Sequence, residues 1–415
     1  MIEVKYNWTK GIISHKLECL INNIKERDHI QIDTTILDEN RQKWISQISL
    51  EAKDNHYSFT IDDIVRNASF DRIYSKHLFD NLGFKIYENM KKKNITAENY
   101  TASFVKLNDS NLILDIRITI NNQQIDYRKI NCQLKSADIS TMVIKDDFIG
   151  KYYYKEKTKR PTLVILGGSM GDLFWSEQYA ALLSNEGYNT LALSYFSYKG
   201  VNNQPRTLTE INLEYFHKSI NWLIDREETL GNKTGLIGLS KGGELALLLG
   251  SIYKDKINSI IAISPSSYCF EGAYLGKNKN IGSWKLQNKE LAFLKYPNNT
   301  KLNLFMEPGY LLDIHKKAIE EANTHDLEKA RIKVEDIQAP TLIVSGSKDL
   351  TWPSSIMCKD MEGKNTLINW VNYENAGHIF NIPHVPPLLE SKKQDKEECY
   401  KANTDLWEQV INHLK

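Results

Sequence analysis

Apolar and polar residues alternate along the first 140 or so positions, and beyond them the alternation gives way to unbroken apolar runs. In "HIQIDTTILD" (29–38) Ile30 and Ile32 share one face, and in "LILDIRITI" (112–120) Leu114, Ile116, Ile118 and Ile120 alternate with polar partners. Period-two patterning of this kind predicts half-buried strands. "NNQQ" at 121–124 predicts a hairpin turn before "IDYRKI", and "KWISQISLEA" and "HYSFTIDD" read as further short strands. Repeated short strands with one apolar face predict an antiparallel β-sandwich, immunoglobulin-like, over residues 1–142, with a short helical interruption around 71–92.

From about residue 143 the rhythm differs. "TLVIL" (162–166), "YNTLALSYF", "TGLIGL", "INSIIAIS" and "PTLIVSG" (340–346) are continuous apolar runs separated by stretches of helical spacing. "DLFWSEQYAALLSNEG" stops at Gly187, "TEINLEYFHKSINWLIDREETLG" reads as one long amphipathic helix with Leu213, Phe216, Ile220 and Leu223 in a stripe, and "KGGELALLLGSIY" as another helix. Strands buried on both faces and alternating with helices predict a mostly parallel sheet covered on both sides, an α/β domain over 143–415. The linker is expected near 140–150.

Charge and cysteine usage narrow the classes. Lys and Arg number 53 against 52 Asp and Glu, so net charge favours neither nucleic acid nor an anionic membrane as partner. No apolar run reaches the roughly 20 residues that cross a bilayer, and "MIEVKYNWTKG" does not read as a signal peptide. Cys19, Cys132, Cys269, Cys358 and Cys399 are scattered, without a CxxC pair or metal-ligand spacing to histidine. The expectation is a cytoplasmic protein with reduced thiols, no cofactor and no metal. Oligomeric state is not legible.

Two stretches carry the pattern G-x-S-x-G: "GGSMG" at 167–171 and "GLSKG" at 238–242. Such a pattern between a strand and a helix presents a nucleophilic serine on a sharp turn, and the helix start favours the negative charge that develops there. The acid and the histidine of such a site follow in that order, each beyond a later strand. "PTLIVSGSKD" offers Asp349 and "NWVNYENAGHIF" offers His378, with Asp360 and Glu374 as reserve acids and His384 as reserve base. Chain order does not separate the two serines, but position does. The glycine-rich loop that supplies an oxyanion donor comes from an earlier strand than the nucleophile. Residues 167–171 fit that loop and 238–242 fit the elbow, so Ser240 is the expected nucleophile. Backbone N–H groups of Lys241 and of Ser169 or Met170 are the expected oxyanion donors. Lys241 and Glu244 read as a helix-surface ion pair, and Cys269 as buried packing. Lys277, Lys279 and Lys285 read as a solvated charged loop that could meet the phosphates of a nucleotide-like carrier.

"INLEYFHKSINWLIDREETLG" followed by "TGLIGLSKGGELALLLGS" resembles the acyl-CoA thioesterase and bile acid-CoA:amino acid N-acyltransferase family of the α/β-hydrolase superfamily. "EGYNTLALSYFSY", "LIVSGSKDLTWPSS" and "YENAGHIFNIPHVPPL" resemble its remaining blocks in order. "TTILDENRQKW" and "LILDIRITINN" resemble its N-terminal sandwich more loosely, and 265–335 departs from the pattern. The resemblance implies Ser240, Asp349 and His378 as nucleophile, acid and base, and an acyl-CoA as substrate. The conjugating members of that family resemble the hydrolases but carry cysteine at the position of Ser240, which leans the expectation toward hydrolysis. A carboxylic-ester or dienelactone-type hydrolase, an acyltransferase to an amine such as an amino acid, and a catalytically silent binding protein are the alternatives.

Overall fold

A computed structural model of the chain describes residues 1–39, 43–70, 104, 106–197, 200–272, 276–277, 280–298, 300–302, 309–391 and 393–415. Two compact units emerge, one of Met1–Ser136 with Asn381–Lys392, the other of Ala137–Phe380 with Lys393–Lys415.

The first unit holds β1 (Glu3–Asn7), β2 (Glu18–Asn22), β3 (His29–Leu37), β4 (Lys43–Glu51), β5 (His56–Thr60), β6 (Ser69–Phe70), β7 (Leu112–Ile120) and β8 (Gln123–Cys132). They form two antiparallel sheets, ordered β1-β2-β5 and β6-β4-β3-β7-β8. The alternation has its expected consequence: Ile30 pairs with Ile120 and Ile32 with Ile118 across β3 and β7, and all four are buried. Asn121 and Asn122 turn β7 into β8 with φ of 49° and 63°, left-handed values that asparagine tolerates better than other side chains and that match the twist of a two-residue hairpin. "HYSFTIDD" is not all strand. Thr60 caps a helix, Ile61–Asn67, and exchanges hydrogen bonds with Asp63 in a capping box. The helix expected around 71–92 lies outside the described residues.

The second unit is built on β9 (Ser140–Ile144), β10 (Ile149–Tyr154), β11 (Thr162–Leu166), β12 (Asn189–Ser194), β13 (Ile211–Asn212), β14 (Thr234–Leu239), β15 (Ile257–Ile263), β16 (Gly276–Lys277), β17 (Trp284–Leu286), β18 (Lys289–Glu290), β19 (Lys301–Leu302), β20 (Thr341–Gly346) and β21 (Ile368–Tyr373). Eight of these make one sheet in the order β21-β20-β15-β14-β11-β12-β10-β9. From β12 to β21 every neighbour is parallel, and β10 runs antiparallel to both β9 and β12. This is the α/β-hydrolase arrangement. The central strands β11, β12, β14 and β20 are buried at every residue, which is why they read as apolar runs rather than alternations.

The segment expected as a linker near 140–150 is instead the edge of this sheet. Ser140–Ile144 and Ile149–Tyr154 pair with each other in register, so the boundary anticipated after 142 falls inside a strand and the units divide after Ser136. The long helix expected over 209–231 is also shorter. Ile211–Asn212 pairs with β17, the helix runs Leu213–Ile224, and Leu213, Phe216, Ile220 and Leu223 face the core as the stripe predicted.

Candidate active site

The strand β14 ends at Leu239, and the helix Lys241–Ile252 begins two residues later, so Ser240 alone must turn the chain. It does so with φ 60° and ψ −122°, a conformation that costs on the order of 1–3 kcal/mol for a residue with a side chain. The surrounding structure holds it there: the Ser240 N–H donates to Ile263 O at 2.8 Å, and the Glu244 N–H donates to Ser240 O at 2.9 Å. Both flanking glycines are required by close approach. A Cβ on Gly238 would lie 2.0 Å from Gly242 O, and one on Gly242 would lie 2.2 Å from Leu166 O.

The loop after β20 brings an acid to this bend. Asp349 is 5% exposed and its carboxylate is fully engaged. Oδ1 accepts from the backbone N–H groups of Thr351 (2.8 Å) and Trp352 (3.0 Å), while Oδ2 accepts from Ser354 Oγ (2.6 Å) and His378 Nδ1 (2.8 Å). Four donors thus converge on one carboxylate and fix its orientation. The loop after β21 can lie against the end of β20 only because residue 346 is glycine, where a Cβ would sit 2.3 Å from Gly377 O. His378, 4% exposed, then spans the gap: Nδ1–H donates to Asp349, and Nε2 stands 2.8 Å from Ser240 Oγ. The Trp352 ring packs edge-on against the imidazole at 5.4 Å and fixes its plane.

The other serine occupies a different setting. Residues 167–171 follow β11, but the next helix starts only at Phe174, so Ser169 is not at an elbow. Their loop lies beside the bend, since a Cβ on Gly168 would meet Leu239 O and Ser240 Cβ at 3.1 Å each. Tyr195 OH donates to Gly167 O, and the Asp172 N–H donates to Phe196 O at 3.0 Å, which anchors the loop at both ends. Met170 is 57% exposed.

The remaining candidates are dispersed. Asp360 pairs with Lys364, and Glu374 is exposed. His384 belongs to the first unit, where its Nδ1 lies 2.7 Å from Asp62 Oδ1. Cys269 is buried, and burial pushes its thiol well above the usual range. Lys285 pairs with Glu210 at 2.6 Å, while the side chains of Lys277 and Lys279 lie outside the described residues.

Lys241 and Glu244 are not a surface pair. They are 2% and 0% exposed. The three Lys241 ammonium donors go to Glu244 Oε1 (2.9 Å), Oε2 (3.0 Å) and Phe270 O (3.3 Å), and Trp284 Nε1–H donates to Glu244 Oε1 at 2.8 Å. Burial pushes the Glu244 carboxyl up, and Lys241 and Trp284 oppose that shift. With its side chain so committed, Lys241 can offer the bend only its backbone N–H. Among the described residues no group of three or more His, Cys, Asp or Glu side chains is placed to hold a metal ion, and no helix is long and apolar enough to cross a membrane.

Residues 211–414, which include the bend, the acid and the histidine, match the family model "BAAT / Acyl-CoA thioester hydrolase C terminal". This stretch of the chain is similar to that family. Mouse acyl-coenzyme A thioesterase 6 is 29% identical over 239 residues, 56% of this chain and 52% of that protein. Human acyl-coenzyme A thioesterase 1 is 27% identical over 233 residues, 54% and 50% respectively. The matches thus span about half the length of these relatives. Among solved structures, a dienelactone hydrolase from Anabaena variabilis aligns with 66% of this chain and 98% of its own at 13% identity and a TM-score of 0.38.

Several residues around the site carry no motif of their own in the sequence. Ser354 and Trp352 lie in "DLTWPSS", close enough to Asp349 that a search for donors just after the acid would have found them. Ser264 and His315 left no such signal. His315 is buried, with Nδ1 donating to Leu311 O at 2.7 Å, and its ring lies edge-on to Phe270 and Trp352. Desolvation holds its pKa down at about 4.

Proposed function

We propose that this protein is a serine-dependent thioesterase that cleaves acyl-CoA to the free acid and CoA. One observation carries the reading: His378 bridges Ser240 and Asp349 with 2.8 Å on each side, at a strained bend that opens a helix. That is the geometry a hydroxyl nucleophile needs. The family's thioester hydrolases and the two relatives named thioesterases support the choice of carrier.

In this reading the Ser240 oxygen attacks the thioester carbonyl while its proton passes to His378 Nε2. Asp349 holds the Nδ1–H tautomer and stabilises the imidazolium. The oxyanion is received by the Lys241 N–H and by an N–H of Ser169 or Met170, each such donor lowering the barrier by about 3–4 kcal/mol. Collapse expels the CoA thiolate, which takes the proton from His378 and leaves an acyl ester on Ser240. Water, deprotonated by His378, then attacks that ester, and Ser240 recovers its proton as the acid departs.

The test is release of free thiol from short, long, branched and bile-type acyl-CoAs, with and without glycine or taurine, alongside hydrolysis of nitrophenyl esters. Thiol release abolished by Ser240→Ala is the expected result. Ester hydrolysis without thiol release would replace the proposal by a carboxylic-ester hydrolase, and an amide product in the presence of glycine or taurine by an acyltransferase.

A further inference from the structure

The histidine sits between β21, which ends at Tyr373, and the helix Lys396–Leu414, on a segment whose described residues form no helix or strand. A side chain that must stay within hydrogen-bond reach of two partners needs its backbone fixed from outside. Three alternate carbonyls of the segment are held by three different elements. Lys348 N–H donates to Ala376 O at 2.9 Å, Trp175 Nε1–H to Phe380 O at 3.0 Å, and between them Ser264 Oγ–H to His378 O at 2.7 Å. Only the Ser264 bond of these three falls on the histidine itself.

Ser264 follows the last residue of β15, the strand lying between β14, which leads to Ser240, and β20, which leads to Asp349. It is wholly buried and adopts φ 46°, a left-handed value that serine rarely accepts without cause. Every polar group around it is engaged. Its N–H donates to Val344 O at 2.7 Å, its carbonyl accepts from Trp352 Nε1–H at 3.0 Å, and the carbonyl before it, Ile263 O, accepts from the Ser240 N–H at 2.8 Å. Two residues therefore touch the backbone of the nucleophile, the strand and tryptophan of the acid, and the backbone of the histidine.

We propose that Ser264 is a positioning residue for the hydrolytic reaction: its strained backbone aims its hydroxyl at the His378 carbonyl and keeps the imidazole in line between Ser240 and Asp349. Without the hydroxyl the His378 carbonyl loses this donor, and β15 no longer holds the segment at the histidine itself. A shift of about 1 Å is enough to cost roughly a hundredfold in rate.

The inference rests on the reading of Ser240, Asp349 and His378 given above, and the experiment separates the two. Ser264→Ala, Ser264→Gly and Ser264→Cys are compared with the parent and with Ser240→Ala. The readouts are kcat and KM for thiol release, the rate at which a fluorophosphonate labels the intact protein, and thermal midpoint. Ser264→Ala and Ser264→Gly are expected to lower kcat by about ten- to a hundredfold and to slow labelling in proportion, with KM within about twofold. Ser264→Cys, a weaker donor of similar shape, falls between. Because glycine accepts the left-handed backbone, Ser264→Gly should melt no lower than Ser264→Ala while being as slow, a split that a merely structural role would not produce. A folded Ala or Gly variant with kcat and labelling within about twofold of the parent overturns the proposal. If neither folds, Ser264→Cys decides, and an unchanged kcat overturns it. A dead Ser240→Ala beside a fully active Ser264→Ala removes only this inference, whereas turnover by Ser240→Ala removes the reading beneath it.

Discussion

Residues 167–171 and 238–242 spell the same pattern and share almost nothing else. In the second stretch the glycines are demanded by backbone contact at 2.0 and 2.2 Å, whereas a Cβ on Gly167 would meet nothing nearer than 3.9 Å. Gly171 is needed for the opposite reason: its φ of 71° is left-handed, while in the elbow it is the serine that takes the positive angle. The residue after each serine differs as sharply, Lys241 buried in an ion pair and Met170 open to solvent. A pattern of residue types records where small side chains occur. It does not record whether crowding or chain direction put them there.

The contrast is sharpest at the serines. Ser240→Ala is expected to reduce thiol release by about a thousandfold or more. Ser169→Ala should cost less than about tenfold, since the donor proposed there is a backbone N–H that the change leaves in place. Reversed losses would exchange the two assignments.

Lys241→Met leaves Glu244 buried without its cation, and unfolding by denaturant should show a loss of about 3–5 kcal/mol. Adding Glu244→Gln should return most of that stability, and Met170→Gln should change it by under about 0.5 kcal/mol. If Lys241→Met alone were neutral, the buried pair would not distinguish the two stretches. Gly242→Ala should cost about 3 kcal/mol or more through its clash with the Leu166 carbonyl, and Gly167→Ala less than about 1 kcal/mol.

A more gradual effect, spread over a range of conditions, concerns pH. His315, held down chiefly by desolvation and in smaller part by Lys241, has a folded pKa of about 4 against 6.5 for a free imidazole. The unfolded chain therefore binds a proton between pH 6.5 and 4 that the folded chain refuses. Stability falls as pH drops through that window, by on the order of 3 kcal/mol in total. His315→Gln should flatten this slope in denaturant titrations across the same window, and an unaltered slope would assign the acid sensitivity elsewhere.

Much of this molecule was legible because burial leaves a periodic trace. Ile30, Ile32, Ile116 and Ile118 alternate since only one face of their sheet is buried, and "TLVIL" and "TGLIGL" are continuous since both faces are. Ser240 and Asp349 each follow such a run, whereas His378 follows Ile368–Tyr373, of which only Ile368 is buried, and is placed by chain order. The edge strands Ser140–Ile144 and Ile149–Tyr154 read as linker in sequence because each is short and only partly buried, and the charged residues Lys145, Asp146 and Asp147 separate them. The helix Leu213–Ile224 is shorter than the 209–231 its spacing predicts because helical spacing continues past the buried stripe that ends at Leu223.

Chain order and residue type alone fixed the alternating first part, the parallel second part and a serine, an acid and a histidine in succession, since these follow from covalent spacing and from which faces exclude water. Which polar atoms would be taken out of water was decided only by the folded chain. Lys241 and Glu244, an ordinary i,i+3 pair in sequence, are sealed by Phe270 and Trp284 from a segment without readable periodicity. Ser264, one serine among many, meets His378 across 114 residues. Hydrogen bonds of that kind depend on distances that local sequence does not contain, so tertiary packing alone could set them.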